Sequence, residues 1–225
     1  AIGYNTFGDG VNTGSGNIGF GSFAGQSLTS GTYNFFAGFA SGLSFTTGQG
    51  NFFAGLNSGR NATTANRNIA IGHNAIGNGA MTGSENIALG NAAGRDLTSG
   101  ANNVFAGYNA GYNATTANGQ IAIGYQAGYS ITTGQRNTTI GEASGYNMTT
   151  NSDVVAIGYQ AGRASGAESV WVGAYAGKQN SGTVSTSASV GVGANVLNAA
   201  TSYGNTAVGH DAGKYISTGQ NNTFL

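Results

Sequence analysis

The chain has 225 residues, seven basic and seven acidic side chains, zero formal net charge, and neither proline nor cysteine. Disulfide staples are excluded, and the charge balance offers no electrostatic footprint for nucleic acid or for an anionic lipid surface. No apolar run approaches the ~20 residues that cross a bilayer, so membrane insertion is not expected.

Glycine fills 42 positions and charged residues only 6% of the chain, against roughly 7% glycine and 25% charge in an average globular domain. The 39% apolar content, set at regular intervals, argues for a packed core rather than a disordered polymer. The opening stretch AIGYNTFGDG has neither the basic start nor the apolar core of a signal peptide. It begins on the tail of a motif that recurs to the other end. In chain order the strings are NIGFG at Asn17, NFFAG at Asn34 and Asn51, NIAIG at Asn68, NIALG at Asn86, NVFAG at Asn103 and QIAIG at Gln120. NTTIG at Asn137, VVAIG at Val154, SVWVG at Ser169, SVGVG at Ser189 and NTAVG at Asn205 follow. Of the twelve intervals between closing glycines, from Gly3 to Gly209, seven are 17 residues and two are 18, while the last three are 15, 20 and 16. The coils are therefore expected to become irregular from about residue 163 onward. The chain closes on NNTFL, a strand start without its glycine, so residues 1–225 read as one repeat array, a segment of a longer chain.

A unit of 17 residues is too short for a helical hairpin and lacks the leucine pattern of horseshoe repeats. Its ordered part is a short β-branched or aromatic run between Asn and Gly, which reads as a strand. The expected fold is all-β, a parallel β-solenoid (β-roll) of about 13 coils, which at about 4.8 Å per coil gives a rod on the order of 60 Å. Each coil buries its apolar surface only against its neighbours.

Within that frame every column has an expected task. The apolar pairs one and three residues before the glycine, such as Ile18 with Phe20, Ile69 with Ile71 and Ile121 with Ile123, share one strand face by period-two alternation and are assigned to the core. The residue between them is small at Ala70, Ala88 and Ala122 but large at Phe36, Phe53, Phe105 and Trp171. This places a row of rings on the outer face, and a monomer rarely leaves such a row exposed. Phe36, Phe53, Phe105 and Trp171 are accordingly the candidate inter-chain interface of a homo-oligomer. Pairs such as Ala24-Gly25, Ser41-Gly42 and Ala127-Gly128 suit tight corners. The Φ-T-[TS] element, as in Leu28-Thr29-Ser30 and Ile131-Thr132-Thr133, reads as a second short strand. The leading Asn column predicts a ladder of amides bonded from coil to coil.

The strings NIAIGHNAIGNGAMTGSENIALG (68–90) and QIAIGYQAGYSITTGQRNTTIG (120–141) resemble the head repeats of trimeric autotransporter adhesins. They are still more similar to the NTAIGYQA-type repeat arrays of phage tail fibres and bacterial surface proteins. The resemblance covers nearly the whole chain. It implies a left-handed β-roll, three chains about one axis, an extracellular place on a bacterial surface or a virion, and adhesion to a host receptor or cell-surface glycan. The adhesin heads usually carry a shorter repeat than this one.

Chemistry-like motifs are few. The glycine-rich GFGSFAG (19–25) recurs in register with no helix after it, and the Gly-Lys pairs at Lys178 and Lys214 lack the Ser or Thr of a phosphate loop. His73 and His210, the only histidines, lie eight coils apart, and the carboxylates fall in scattered columns. No catalytic residue, metal site or cofactor is expected, and no enzyme activity. One column concentrates chemistry. Arg60, Arg95, Tyr112, Tyr129, Tyr146, Arg163, Lys178 and Lys214 stand five residues after the glycine, and Tyr108, Tyr125 and Tyr159 stand immediately after it. Aromatic faces interleaved with cations along one edge suit an acidic glycan or receptor. The rival surface is the threonine column Thr29, Thr46, Thr63, Thr98, Thr115, Thr132 and Thr149, since flat threonine ladders on β-solenoids match ice in several antifreeze proteins. Asn61, Asn113 and Asn147 also fall in N-x-T sequons.

Overall fold

A computed structural model describes residues 1–8, 12–178, 187–199, 202–216 and 218–225. The chain is an all-β parallel β-solenoid with a repeat of about 17 residues and no helix among the described residues. It comprises two compact units, Ala1–Ala117 and Asn118–Leu225. The first contains β1 (Ile18–Phe20), β2 (Phe35–Ala37), β3 (Phe52–Ala54), β4 (Ile69–Ile71), β5 (Ile87–Leu89) and β6 (Val104–Ala106). The second contains β7 (Ile121–Ile123), β8 (Thr138–Ile140), β9 (Val155–Ile157), β10 (Val170–Val172), β11 (Val190–Val192), β12 (Thr206–Val208) and β13 (Thr223–Phe224). Consecutive strands within each unit pair in parallel at equivalent repeat positions, as in Phe36 with Phe53 and Thr139 with Ala156.

The inward and outward faces of these strands are the reverse of the sequence expectation. The middle residue of each three-residue strand is the buried one: Phe36, Phe53, Ala70 and Ala88 in the first unit, Ala122, Thr139, Ala156 and Trp171 in the second. The flanking apolar pair faces outward, and Ile18, Phe20, Ile69, Ile71, Ile121 and Ile123 are all exposed. Phe36, Phe53, Phe105 and Trp171 are each no more than 1% exposed, so they are core of a single chain and not available to a second one. The Asn column sets this parity. Its amides are buried, and alternation along Asn-Φ-x-Φ then turns x inward and both Φ outward.

The buried asparagines supply partners to polar groups of the coil interior. The Nδ2 groups of Asn51, Asn68, Asn86 and Asn103 donate to the Oδ1 of the preceding Asn at 2.9–3.0 Å. Each also donates across the interior to a carbonyl on the far side of the coil, at Ala65, Gly83, Gly100 and Ala117 respectively. The Oδ1 of Asn68 accepts the backbone N–H of Asn86 at 2.9 Å. The second unit has a ladder of its own with substitutions: Gln120 reaches the Gly134 carbonyl at 2.7 Å, and Ser169 and Ser189 stand in the same column before Asn205.

In several coils interior volume is traded across nine residues. Gly19 goes with Leu28, Phe53 with Ala62, Ala88 with Leu97, Phe105 with Ala114, Ala122 with Ile131 and Thr139 with Met148, and every partner is buried. A narrow prism packed to crystal-like density holds about one large side chain per level. The coil of Phe36 and Phe45 carries two, and these rings pack at 5.4 Å against each other and at 5.7 and 5.9 Å against Phe53. Trp171 is fully buried, and its indole N–H donates to Ser165 Oγ at 2.7 Å.

Two glycines per coil are dictated by geometry. Gly55 has φ +130°, and a Cβ there would stand 2.6 Å from the carbonyl oxygen of Gly72 on the next coil. Gly59, at φ +58°, turns the corner where a Cβ would enter the Phe53 ring. Two further left-handed positions carry ordinary residues, among them Asn57, Asn74 and Asn109 two residues after the strand glycine, and Arg67 and Glu85 before the ladder asparagine. The expected second strand at Φ-T-[TS] does not form among the described residues. Its Φ residue is buried as expected, and Thr46 and Thr98 donate backbone N–H groups to the Thr63 and Thr115 carbonyls at 2.9 Å. The chain then bends at once through [TS]-Gly, so only isolated bridges such as Thr32 with Gln49 and Asn118 with Gln135 remain.

Candidate functional site

Three surfaces present themselves. The outer face of the first unit's sheet carries two apolar columns, Ile18, Phe35, Phe52, Ile69, Ile87 and Val104 beside Phe20, Ala37, Ala54, Ile71, Leu89 and Ala106. Phe35 and Phe52 stack at 4.5 Å with their planes 3° apart, and Phe20 tilts against Phe35 at 6.0 Å. The second unit repeats the pattern in smaller side chains: Ile121, Thr138, Val155, Val170, Val190 and Thr206 beside Ile123, Ile140, Ile157, Val172, Val192 and Val208. Sequence reasoning recognised these residues as apolar partners and assigned them to the interior. The signal for the true parity lay in the asparagines.

The second surface is the aromatic and basic edge. In the second unit Tyr129 and Tyr146 stack at 5.0 Å, and the Arg163 guanidinium lies 5.4 Å from the Tyr146 ring centre. Tyr159 meets Tyr175 edge-on at 5.1 Å, and the Lys178 ammonium stands 4.6 Å from the Tyr175 ring. Partial burial, then the neighbouring Tyr159 and Glu142, push the Tyr175 phenol above its ordinary value. Lys214 pairs with Asp211 at 3.2 Å and covers Tyr215 at 5.3 Å. Half-exposed Tyr125 stands at its expected column position. In the first unit Arg95 lies over Tyr112 at 4.5 Å and touches Asp96 at 3.3 Å, while Tyr108 is 48% exposed. The expected interleaving of cations and rings is present, and much of it is turned inward on itself. Arg60 is different: it stands beside a shallow cavity of about 250 Å³ lined by Phe23, Gln26, Phe39, Ala40 and Leu43. Phe23, two residues after its glycine, was missed because the edge was read only one and five residues after it.

The third surface is the threonine column. The hydroxyls of Thr29, Thr46, Thr98 and Thr132 donate to backbone carbonyls of the next coil at 3.1, 3.1, 2.9 and 3.2 Å, and that of Thr63 reaches Met81 at 3.5 Å. Thr115 and Thr149 supply carbonyl acceptors in the same ladder. The hydroxyl donors of these five threonines therefore serve the solenoid. Asn61, in its sequon, likewise donates to the Asn78 carbonyl at 3.1 Å.

Among the described residues no group of three or more His, Cys, Asp or Glu side chains is placed to hold a metal ion. His73 lies in the first unit and His210 in the second, where it approaches Asp211 at 3.6 Å. Comparison of the chain with protein-family models, with curated proteins and with solved structures gave no match.

Proposed function

We propose that this chain is a non-catalytic structural module, the repeat shaft of a homo-oligomeric surface adhesin or phage tail fibre. Its outer sheet face packs against identical chains, with three copies about an axis, and its edges carry contacts to a host glycan or receptor. The observation that carries this reading is the pair of outward apolar columns. Six strands of the first unit alone line up Ile, Phe, Val and Leu without an interrupting charge. A flat patch of this kind, on the order of several hundred Å², is at the upper limit of what monomers leave in water. Covering it with the same face of another chain is the economical solution for a repeating surface. Coil-to-coil hydrogen bonding of the buried asparagines supports the mechanical part of the reading, and repetition of edge residues would raise weak contacts through avidity.

The test is the mass in solution by light scattering, with the double variant Ile69→Lys, Ile71→Lys beside the parent. The parent is expected to run as an oligomer and the variant as a smaller species with an unchanged far-ultraviolet spectrum. A monomeric parent refutes the reading. The ice-binding alternative predicts thermal hysteresis from the same samples. None is expected, because the threonine hydroxyls are occupied by the next coil's carbonyls.

A further inference from the structure

We infer that the cleft beside Arg60 is a binding site for one carboxylate-bearing sugar ring of a surface glycan. The inference rests on the adhesive reading above, but it concerns a corner of the first unit and not its sheet face. It begins with the seven basic side chains. Arg67 pairs with Glu85 at 2.7 Å, Arg95 with Asp96, Arg136 with Asp153 at 2.7 Å and Lys214 with Asp211. Arg163 and Lys178 lie over Tyr146 and Tyr175. Among the described residues that leaves Arg60 as the one cation with neither a carboxylate nor an aromatic ring against it.

Its surroundings are apolar and ring-shaped. Phe39, 53% exposed, is held edge-to-face by Phe23 at 5.5 Å, and Phe23 is held in turn by Tyr4 at 5.5 Å. Leu43 and buried Ala40 complete the floor, Gln26 brings an amide, and Arg60 stands in the same column as Gln26 and Leu43 on the adjoining coil. The cavity, about 250 Å³, is below the ~300 Å³ at which drug-sized pockets begin, so it takes a single ring. Being shallow, it covers one side of its occupant and leaves the other wet. A pyranose fits that division, with its C–H face on the aromatic shelf and its hydroxyls at the rim. An alkyl carboxylate, apolar on every side of its chain, would leave half of that apolar surface in water on such a shelf. The guanidinium supplies a paired N–H fork whose match is a carboxylate, and no carboxylate side chain lines the cleft to compete for it.

The experiment uses the whole chain and three probes followed by chemical-shift titration: methyl glucuronide, the neutral methyl glucoside that differs from it only at C6, and octanoate. The glucuronide is expected to bind at least tenfold more tightly than the glucoside, with the shifts centred on residues 23–43 and 60. Arg60→Gln is expected to weaken glucuronide binding at least tenfold and to leave the glucoside unchanged. Phe39→Ala is expected to weaken both sugars. Equal binding of the two sugars, glucuronide binding unaffected in R60Q, preference for octanoate, or no glucuronide binding each overturns the inference. Solution mass, measured on the same samples, separates this outcome from failure of the oligomeric reading, because neither substitution touches the sheet face.

Discussion

Replacing Asn68 by Ala removes one rung of the buried ladder without touching the hydrophobic core. Asn68 is fully buried, donates to Asn51 Oδ1 at 3.0 Å and to the Gly83 carbonyl at 3.1 Å, and accepts from the Asn86 backbone N–H at 2.9 Å. Asn51 Oδ1 keeps the backbone N–H of residue 68, and Asn86 Nδ2 keeps the Gly100 carbonyl. The Gly83 carbonyl and the Asn86 N–H lose their partners. At about 1–3 kcal/mol for each of the two buried groups left without a partner, the expected cost is about 2–6 kcal/mol. That is a large share of the ~5–15 kcal/mol that holds a typical domain together. The assay is urea unfolding followed by far-ultraviolet circular dichroism. Thr64→Ala, on the exposed surface of the same repeat, is the control and should stay within about 0.5 kcal/mol of the parent. Asn68→Asp sharpens the test, because it keeps the acceptor, loses both donors and buries a charge. Burial raises the folded-state pKa of that carboxyl above its unfolded value of about 3.9. The folded state then holds the proton more tightly, so the variant is relatively more stable at low pH and loses that stability as pH rises. An Ala variant no weaker than the control, or an Asp variant indifferent to pH between about 4 and 7, refutes the ladder as a source of stability.

Interior volume trading is open to a double-mutant cycle: Phe53→Ala alone should cost about 3–5 kcal/mol. Ala62→Leu alone should cost about 1–3 kcal/mol by overpacking, and the two together should cost less than their sum by more than about 1 kcal/mol in urea midpoints. Gly55→Ala, with its Cβ against the Gly72 carbonyl, should destabilise by more than about 2 kcal/mol. Gly50→Ala is the contrast, because φ is +68° but the nearest atom is Arg67 Cγ at 3.6 Å, and it should cost only the about 1–2 kcal/mol of a left-handed non-glycine residue. The Arg136 hydrogen bond and charge hold the Asp153 carboxyl below the ordinary carboxylate value. Its contribution is therefore present above the unfolded value and lost as pH falls through the folded one. A carboxyl-carbon NMR titration should place Asp153 low and Arg136→Gln should return it to normal, with the difference shrinking in high salt because the pair is exposed.

Much of this architecture is legible without coordinates. The recurrence of NIAIG-like strings, the absence of proline and the paired glycines are sufficient for a parallel solenoid. Period alone places Leu28, Leu97 and Ile131 inside and the asparagines in one ladder. What could not be read from hydropathy was which face of a three-residue strand looks inward. Ile-Ala-Ile scores as an inward pair with a small outward residue, and the structure has the opposite, because the amide of the preceding Asn must be inside to meet two carbonyls and its neighbour's oxygen. One of those carbonyls, Asn66, is two residues away, but the other partners lie 15 to 18 residues away on neighbouring turns. The aromatic edge shows the same division. Its residue types and spacing were visible in one dimension, whereas the separation of Arg60 from the six basic residues already engaged depends on distances between coils. Composition and period determined the coil. Stacking of one coil on the next decided which side of it is core, which side is surface, and which basic side chain has no carboxylate or ring against it.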